Sequence, residues 1–108
     1  MQSNLKRLRD IFIDIERDGF DVNSKLKWGF YFFDSSRSRL LTVYEELKDY
    51  NYSLESIEEA DDNEWRLCVC KIDILTPETL HRRNNAFNEL AANCGVKLYD
   101  GWDVERIK

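Results

Sequence analysis

The sequence predicts an α+β fold: a ferredoxin-like βαββαβ sandwich with a four-stranded antiparallel sheet and an extra N-terminal helix. Three observations lead there. Apolar spacing switches along the chain between the helical period and the two-residue period of strands, in the order helix, strand, helix, strand, strand, helix, strand. The stretch Trp65–Leu75 is apolar on both faces, with Trp65, Leu67 and Val69 on one side and Cys68, Cys70, Ile72 and Ile74 on the other, as expected of a strand in the middle of a sheet. The two most apolar strands are the first and third, the central pair in this topology. A chain of 108 residues is expected to form a single domain, 1–108, with a helix at about 4–18 and the βαββαβ core at about 25–103.

The first helix is read from Leu5, Leu8, Ile11, Phe12 and Ile15, which fall on one stripe. Ser3 or Asn4 can cap it, and Gly19 can stop it. Lys25–Phe33 alternates as a strand, with Leu26, Trp28, Phe30 and Phe32 turned to the main core. Asp34-Ser35-Ser36 supplies capping oxygens for a helix from about Arg37 to Asp49, with Leu40, Leu41, Tyr44 and Leu47 inward and Asn51 as its left-handed end. Tyr52–Glu59 is a short strand whose charges mark it as an edge. The Asp61-Asp62-Asn63 turn joins it to Trp65–Leu75 as a hairpin. Thr76-Pro77-Glu78 starts a helix with a cap, a proline at the first position and an acid in the first turn. Its inward face is Leu80, Phe87, Leu90, Ala91 and Cys94, and Gly95 closes it. Val96–Trp102 is the last strand.

This reading implies two sheet faces. Leu26, Trp28, Phe30, Cys68, Cys70, Ile72, Val96 and Leu98 are expected under the two inner helices. Tyr31, Phe33, Trp65, Leu67, Val69 and Tyr99 then form a second patch, too apolar to stay bare. The N-terminal helix or a partner subunit is expected to cover it, with monomer and homodimer both open.

Net charge is −5 and no dense Lys/Arg run is present, which argues against direct nucleic-acid binding. The aromatic run Lys27-Trp28-Gly29-Phe30-Tyr31-Phe32-Phe33 is reminiscent of RNA-recognition motifs, but it lies on the first strand rather than the third. The acidic balance favours a protein partner with basic segments, or serves solubility alone. Three cysteines, Cys68, Cys70 and Cys94, with no apolar leader segment and no membrane-spanning run, predict reduced thiols, no membrane association and a cytoplasmic location.

Catalytic and metal-binding signatures are weak. Cys68 and Cys70 point the same way on a strand, but Cys94 and His81 lie near opposite ends of the last helix, roughly 20 Å apart at the helical rise. They cannot both complete a four-ligand site. His81, the sole histidine, lacks a nucleophile-elbow context, and the isolated glycines make no phosphate loop. No enzyme activity, cofactor or metal is predicted. The Asp34–Arg37 loop could hold an anion at a helix N-terminus, assisted by Arg37 and Arg39. Glu55, Glu58, Glu59, Asp61, Asp62 and Glu64 form an acidic hairpin, read as a solvated edge and turn or as a docking surface for an Arg/Lys-rich segment.

The C-terminal part carries Gly95-Val96 and then Tyr99-Asp100-Gly101-Trp102-Asp103. Together with Trp65-x-Leu67-x-Val69, Asp73-Ile74-Leu75, Leu90-Ala91-Ala92 and the Leu47…Tyr50-Asn51-Tyr52 corner, this resembles the family of RraB, the regulator of ribonuclease E activity B, over about residues 25–102. The resemblance implies the same ferredoxin-like sandwich. It also implies a non-enzymatic protein that binds the scaffold region of an RNA-degrading endonuclease and dampens its activity. Gly101 is expected to allow a turn or bulge that re-aims Trp102. Tyr99, Asp100, Trp102 and Asp103 are candidate partner contacts, beside Glu55, Glu58, Glu59, Asp61 and Asp62 of the hairpin. The alternative functions are an immunity or antitoxin-like protein neutralising a basic toxin, and a small-molecule-binding ferredoxin-like domain.

Overall fold

A computed structural model describes residues 1–107. Its elements are α1 (Leu5–Arg17), β1 (Leu26–Asp34), α2 (Arg37–Leu47), β2 (Ser53–Glu59), β3 (Trp65–Asp73), α3 (Pro77–Asn93) and β4 (Leu98–Glu105), with 3₁₀ turns at Lys48–Tyr50 and Asp61–Asn63. The strands form one antiparallel sheet in the order β2-β3-β1-β4. The first and third strands are therefore central, as expected, and the α+β architecture with its N-terminal helix holds.

Local chemistry sets the helix starts. The side chains of Asn4, Ser36 and Thr76 accept the amides of Arg7, Arg39 and Thr79. The Thr79 hydroxyl in turn accepts the Thr76 amide at 2.8 Å, completing a reciprocal cap. Asn51 ends the Lys48–Tyr50 turn in the left-handed conformation, at φ 70°.

Two strand ends differ from expectation. β3 stops at Asp73 rather than Leu75, because the Asp73 carboxylate turns back to accept the Ile74 amide at 2.8 Å. β4 begins at Leu98 and runs on to Glu105, with its entry held by the Lys97 amide donating to Asp34 Oδ1 at 2.9 Å. Asp34 is only 2% exposed. It also accepts the Ser36 amide at 2.8 Å and pairs with Arg39 at 3.1 Å, so one carboxylate ties β1, α2 and β4 together.

The register corrects the assignment of sheet faces. Directly opposed residues of an antiparallel pair share a face. Trp28 opposes Lys71 and Val104, Phe30 opposes Val69 and Trp102, and Phe32 opposes Leu67 and Tyr99. Leu67, Val69 and Tyr99 thus lie under the helices. Cys68, Cys70 and Ile72 lie on the opposite face, beside Gly29, Tyr31 and Lys27. Leu98 pairs with Phe33 and is 40% exposed, while Val96 stays in the core from the loop before β4. A shift of one residue in register exchanges the two faces of a strand, and β3 is apolar enough on both to permit either.

The second correction follows from the first. α1 does not cross the opposite face. It lies on the helical side, where Leu8 and Phe12 are buried and Phe12 stacks on Trp28 at 5.8 Å. Arg9 pairs with Glu78 of α3 at 3.2 Å. Inside, Phe87 of α3 meets Phe30 at 5.0 Å and Tyr99 at 5.4 Å, and Phe32 meets Tyr99 at 5.0 Å. All three helices therefore cover one face, and no described element covers the other.

Two bulges adjust the edge strands. The β1–β4 register shifts between Tyr31 and Phe32, leaving Asp100 as the extra residue beside Gly101 at φ +129°. Tyr99 and Trp102, three residues apart, can then both face the helices. The β2–β3 register shifts at Glu55 in the same way and lets Leu54 and Ile57 share the helical side.

Candidate functional site

The uncovered sheet face is the candidate site. Its central positions are Lys27, Gly29, Tyr31 and Phe33 of β1, opposed by Ile72, Cys70, Cys68 and Arg66 of β3. A hollow of about 200 Å³ sits at its middle. Gly29 and the thiols of Cys68 and Cys70 form the floor, Tyr31 one wall, and Glu55, Asp103 and Glu105 the rim. A Cβ at Gly29 would press into the carboxylate tip of the exposed Asp103 and stand 3.6 Å from Cys68 Sγ, so any larger residue there makes Asp103 swing aside.

The charges interlock. Lys27 Nζ lies 3.0 Å from Glu55 and 3.3 Å from Glu105. These carboxylates raise its pKa above the usual lysine value, and Lys27 in turn lowers that of Glu55. The Tyr31 hydroxyl donates to Asp103 Oδ2 at 2.6 Å, and the Arg66 guanidinium lies over the Tyr31 ring at 5.5 Å. Arg66 also pairs with Glu58. Burial, followed by its bond to Glu55, pushes the Cys70 thiol up to about 11. Burial also raises Cys68 and Tyr31. At neutral pH both thiols and the phenol stay protonated, so none of them is a poised nucleophile. The face carries four carboxylates, Glu55, Glu58, Asp103 and Glu105, against the two cations Lys27 and Arg66.

Of the sequence-predicted contacts, the structure brings Glu55, Glu58 and Asp103 to this one face. Glu59 pairs opposite Trp65, on the helical side of the edge, and Asp61 and Asp62 sit exposed in the adjoining turn. Asp100 projects at the β4 bulge. Trp102 lies on the helical side, 5.7 Å from Trp28, beside a separate hollow of about 410 Å³ formed with residues 1–4 and α1. Tyr99 is 1% exposed and its hydroxyl donates to the buried Asn84 at 2.6 Å, which makes it a core residue with no surface to offer. In the Asp34–Arg37 loop the amide of the cap residue Ser36 donates to Asp34, the Arg39 amide donates to Ser36 Oγ, and the Arg39 guanidinium pairs with Asp34. Tyr31 lies on the face away from the inner helices, as expected, whereas Lys27, Cys70 and Glu105 were missed by sequence reasoning. The alternation of β1 was the signal for Lys27, while Cys70 on β3 and Glu105 on β4 became readable only once the covered face was known. Among the described residues no group of three or more His, Cys, Asp and Glu could hold a metal ion, and no helix is long and apolar enough to cross a membrane.

A family model described as regulator of ribonuclease activity B matches residues 6–104. The chain belongs to the RraB family. The match begins in the first turn of α1 and ends one residue short of the end of β4. It therefore takes in the N-terminal helix, which the resemblance over residues 25–102 had left outside. It spans every strand of the candidate face. Membership of a family of regulators supports a regulatory role for this RraB-family chain. No curated protein matches it.

Proposed function

We propose that this protein regulates an RNA-degrading endonuclease of the ribonuclease E type by binding it, without chemistry of its own. The docking surface is the uncovered sheet face, and the segment it receives is rich in Arg and Lys. The observation that carries this reading is a central sheet face left open by all three helices and rimmed by carboxylates in excess of cations. Tyr31 and Phe33 supply aromatic area, and Glu55, Asp103 and Glu105 supply acceptors for charge-assisted bonds. The acidic turn at Asp61 and Asp62 and the exposed Asp100 extend the negative field that steers a basic partner. The site of action proposed is the cytoplasm.

The test is retention of a ribonuclease E scaffold segment on the immobilised full chain at low and at high salt. Retention at low salt that fades as salt rises is expected, because exposed charge pairs separated by more than about 10 Å are screened near 0.1 M. The double variant Glu55→Gln, Glu105→Gln should weaken retention by about tenfold, on the scale of charge-assisted bonds. No retention at low salt would remove the ribonuclease as partner. Binding of a basic toxin under those same conditions would favour the immunity-like alternative.

A further inference from the structure

We infer that the cleft between the C-terminal end of α2 and the first half of α3 binds a nucleoside monophosphate unit, either free or as the phosphorylated end of an RNA strand. This goes beyond the docking reading and lies on the other side of the sheet. The inference starts from Lys71. Its register position opposes Trp28, so it stands on the helix-covered face of a central strand, where its neighbours two residues away are Val69 and Asp73. Lys71 is half-buried there, its stem packed against the sheet and its ammonium turned to the open groove. Among the described residues no carboxylate lies within ion-pair distance of Lys71. Its ammonium rests instead over the Tyr52 ring at 5.0 Å and lines an open cleft of about 470 Å³.

Two further cations enter the same cleft from α3. Arg83 lies 5.9 Å from the Tyr52 ring and reaches Asp73 with both terminal nitrogens at 3.3 Å. Arg82 lines the wall without an ion-pair partner among the described residues. The cleft thus holds three cations against one carboxylate, in a chain of net charge −5. With Arg83 paired to Asp73, Lys71 and Arg82 are the two cations of the groove without a carboxylate partner among the described residues, and their positive field favours an anion.

The second half of the ligand is read from Tyr50. Its ring is 67% exposed at the mouth of the cleft. An exposed planar ring beside converging cations is the arrangement that stacks a base while its phosphate is held by lysine and arginine. The volume is within the range of sites for small ligands, about 300–1,000 Å³. Lys71 and Arg82 would hold the phosphate, Arg83 would stay anchored to Asp73, and Tyr50 would carry the base.

The test is a nuclear magnetic resonance titration of the full, isotopically labelled chain with adenosine monophosphate, adenosine, inorganic phosphate, and short oligoribonucleotides with and without a terminal phosphate. Saturable shifts confined to Tyr50, Lys71, Arg82 and Arg83 are expected with adenosine monophosphate at millimolar concentration or below. Adenosine and inorganic phosphate should each bind more weakly. Arg82→Gln, at an exposed position, should fold normally and weaken the nucleotide by about tenfold. Tyr50→Ala should weaken the nucleotide and leave inorganic phosphate unchanged. Binding of the phosphorylated oligonucleotide but not free adenosine monophosphate would assign the site to an RNA end, and the reverse to a free nucleotide. No saturable shift with either, equal affinity for phosphate and nucleotide, or indifference to Arg82→Gln would overturn the inference. Ribonuclease retention by the Arg82→Gln variant should be unchanged, which separates this site from the docking face.

Discussion

At the scale of single residues, the strongest constraints are polar groups placed where water is scarce. Asp34 is the clearest. Its two oxygens satisfy two backbone amides from different elements and one arginine. Asp34→Ala should lower unfolding stability by about 2–4 kcal/mol, because it leaves the Ser36 and Lys97 amides without a partner. Urea denaturation measures this. Gly29 answers to a different constraint, the Asp103 carboxylate lying against its backbone. Gly29→Ala should cost about 0.5–1.5 kcal/mol, through the Tyr31 bond lost as Asp103 swings aside, and in an Asp103→Ala background the same substitution should cost little. A double-mutant cycle reads the coupling. Cys70 links the open face to pH. Its thiol pKa is raised in the fold from 9.0 to about 11, so between those values the native state holds a proton that the unfolded chain releases. This contribution to stability is complete below pH 9.0 and is lost as pH rises to about 11. Cys70→Ser should flatten the fall in stability over that range, as read by denaturation at stepped pH.

At the scale of elements, α1 shows how a helix legible in sequence can be placed wrongly in space. Its stripe and its Asn4 cap are local features, and both are present as read. Which sheet face it covers depends on Phe12 finding Trp28, sixteen positions away in the chain. Phe12→Ala should cost about 2–4 kcal/mol, below the full range for a completely enclosed ring because Phe12 keeps 7% of its surface exposed. Thermal or urea unfolding checks it. The edge strands make the same point through their bulges. The extra residue at Asp100 lets Tyr99 and Trp102 share a side, and the extra residue at Glu55 frees its carboxylate to reach Lys27 over the open face. Gly101 hinted at the first bulge; nothing in Leu54-Glu55-Ser56 hinted at the second.

At the scale of the whole molecule, three helices on one side and bare sheet on the other make the protein two-faced. The bare face is less apolar than an unpaired reading of the strands suggested, although Ile72 and Leu98 are exposed on it. It carries a glycine, a hydrogen-bonded tyrosine and interlocked charges in place of Leu67, Val69 and Tyr99. Its net negative balance predicts that partner binding weakens steadily with ionic strength, while the core packing of Phe30, Phe87 and Tyr99 is indifferent to it. The amino-acid order alone determined the elements, their caps, the central placing of the first and third strands, and the resemblance to the RraB family. Those are set by spacing within a dozen residues or by short segments read directly. Only the tertiary structure decided which side of β3 is covered, where α1 lies, that Tyr99 is core, and that Glu55 meets Lys27, Asp103 and Glu105 around one hollow. Each of these depends on strand pairing, or on helix-to-strand packing, between segments distant in the chain. A strand apolar on both sides leaves that pairing open until packing against the helices selects a register.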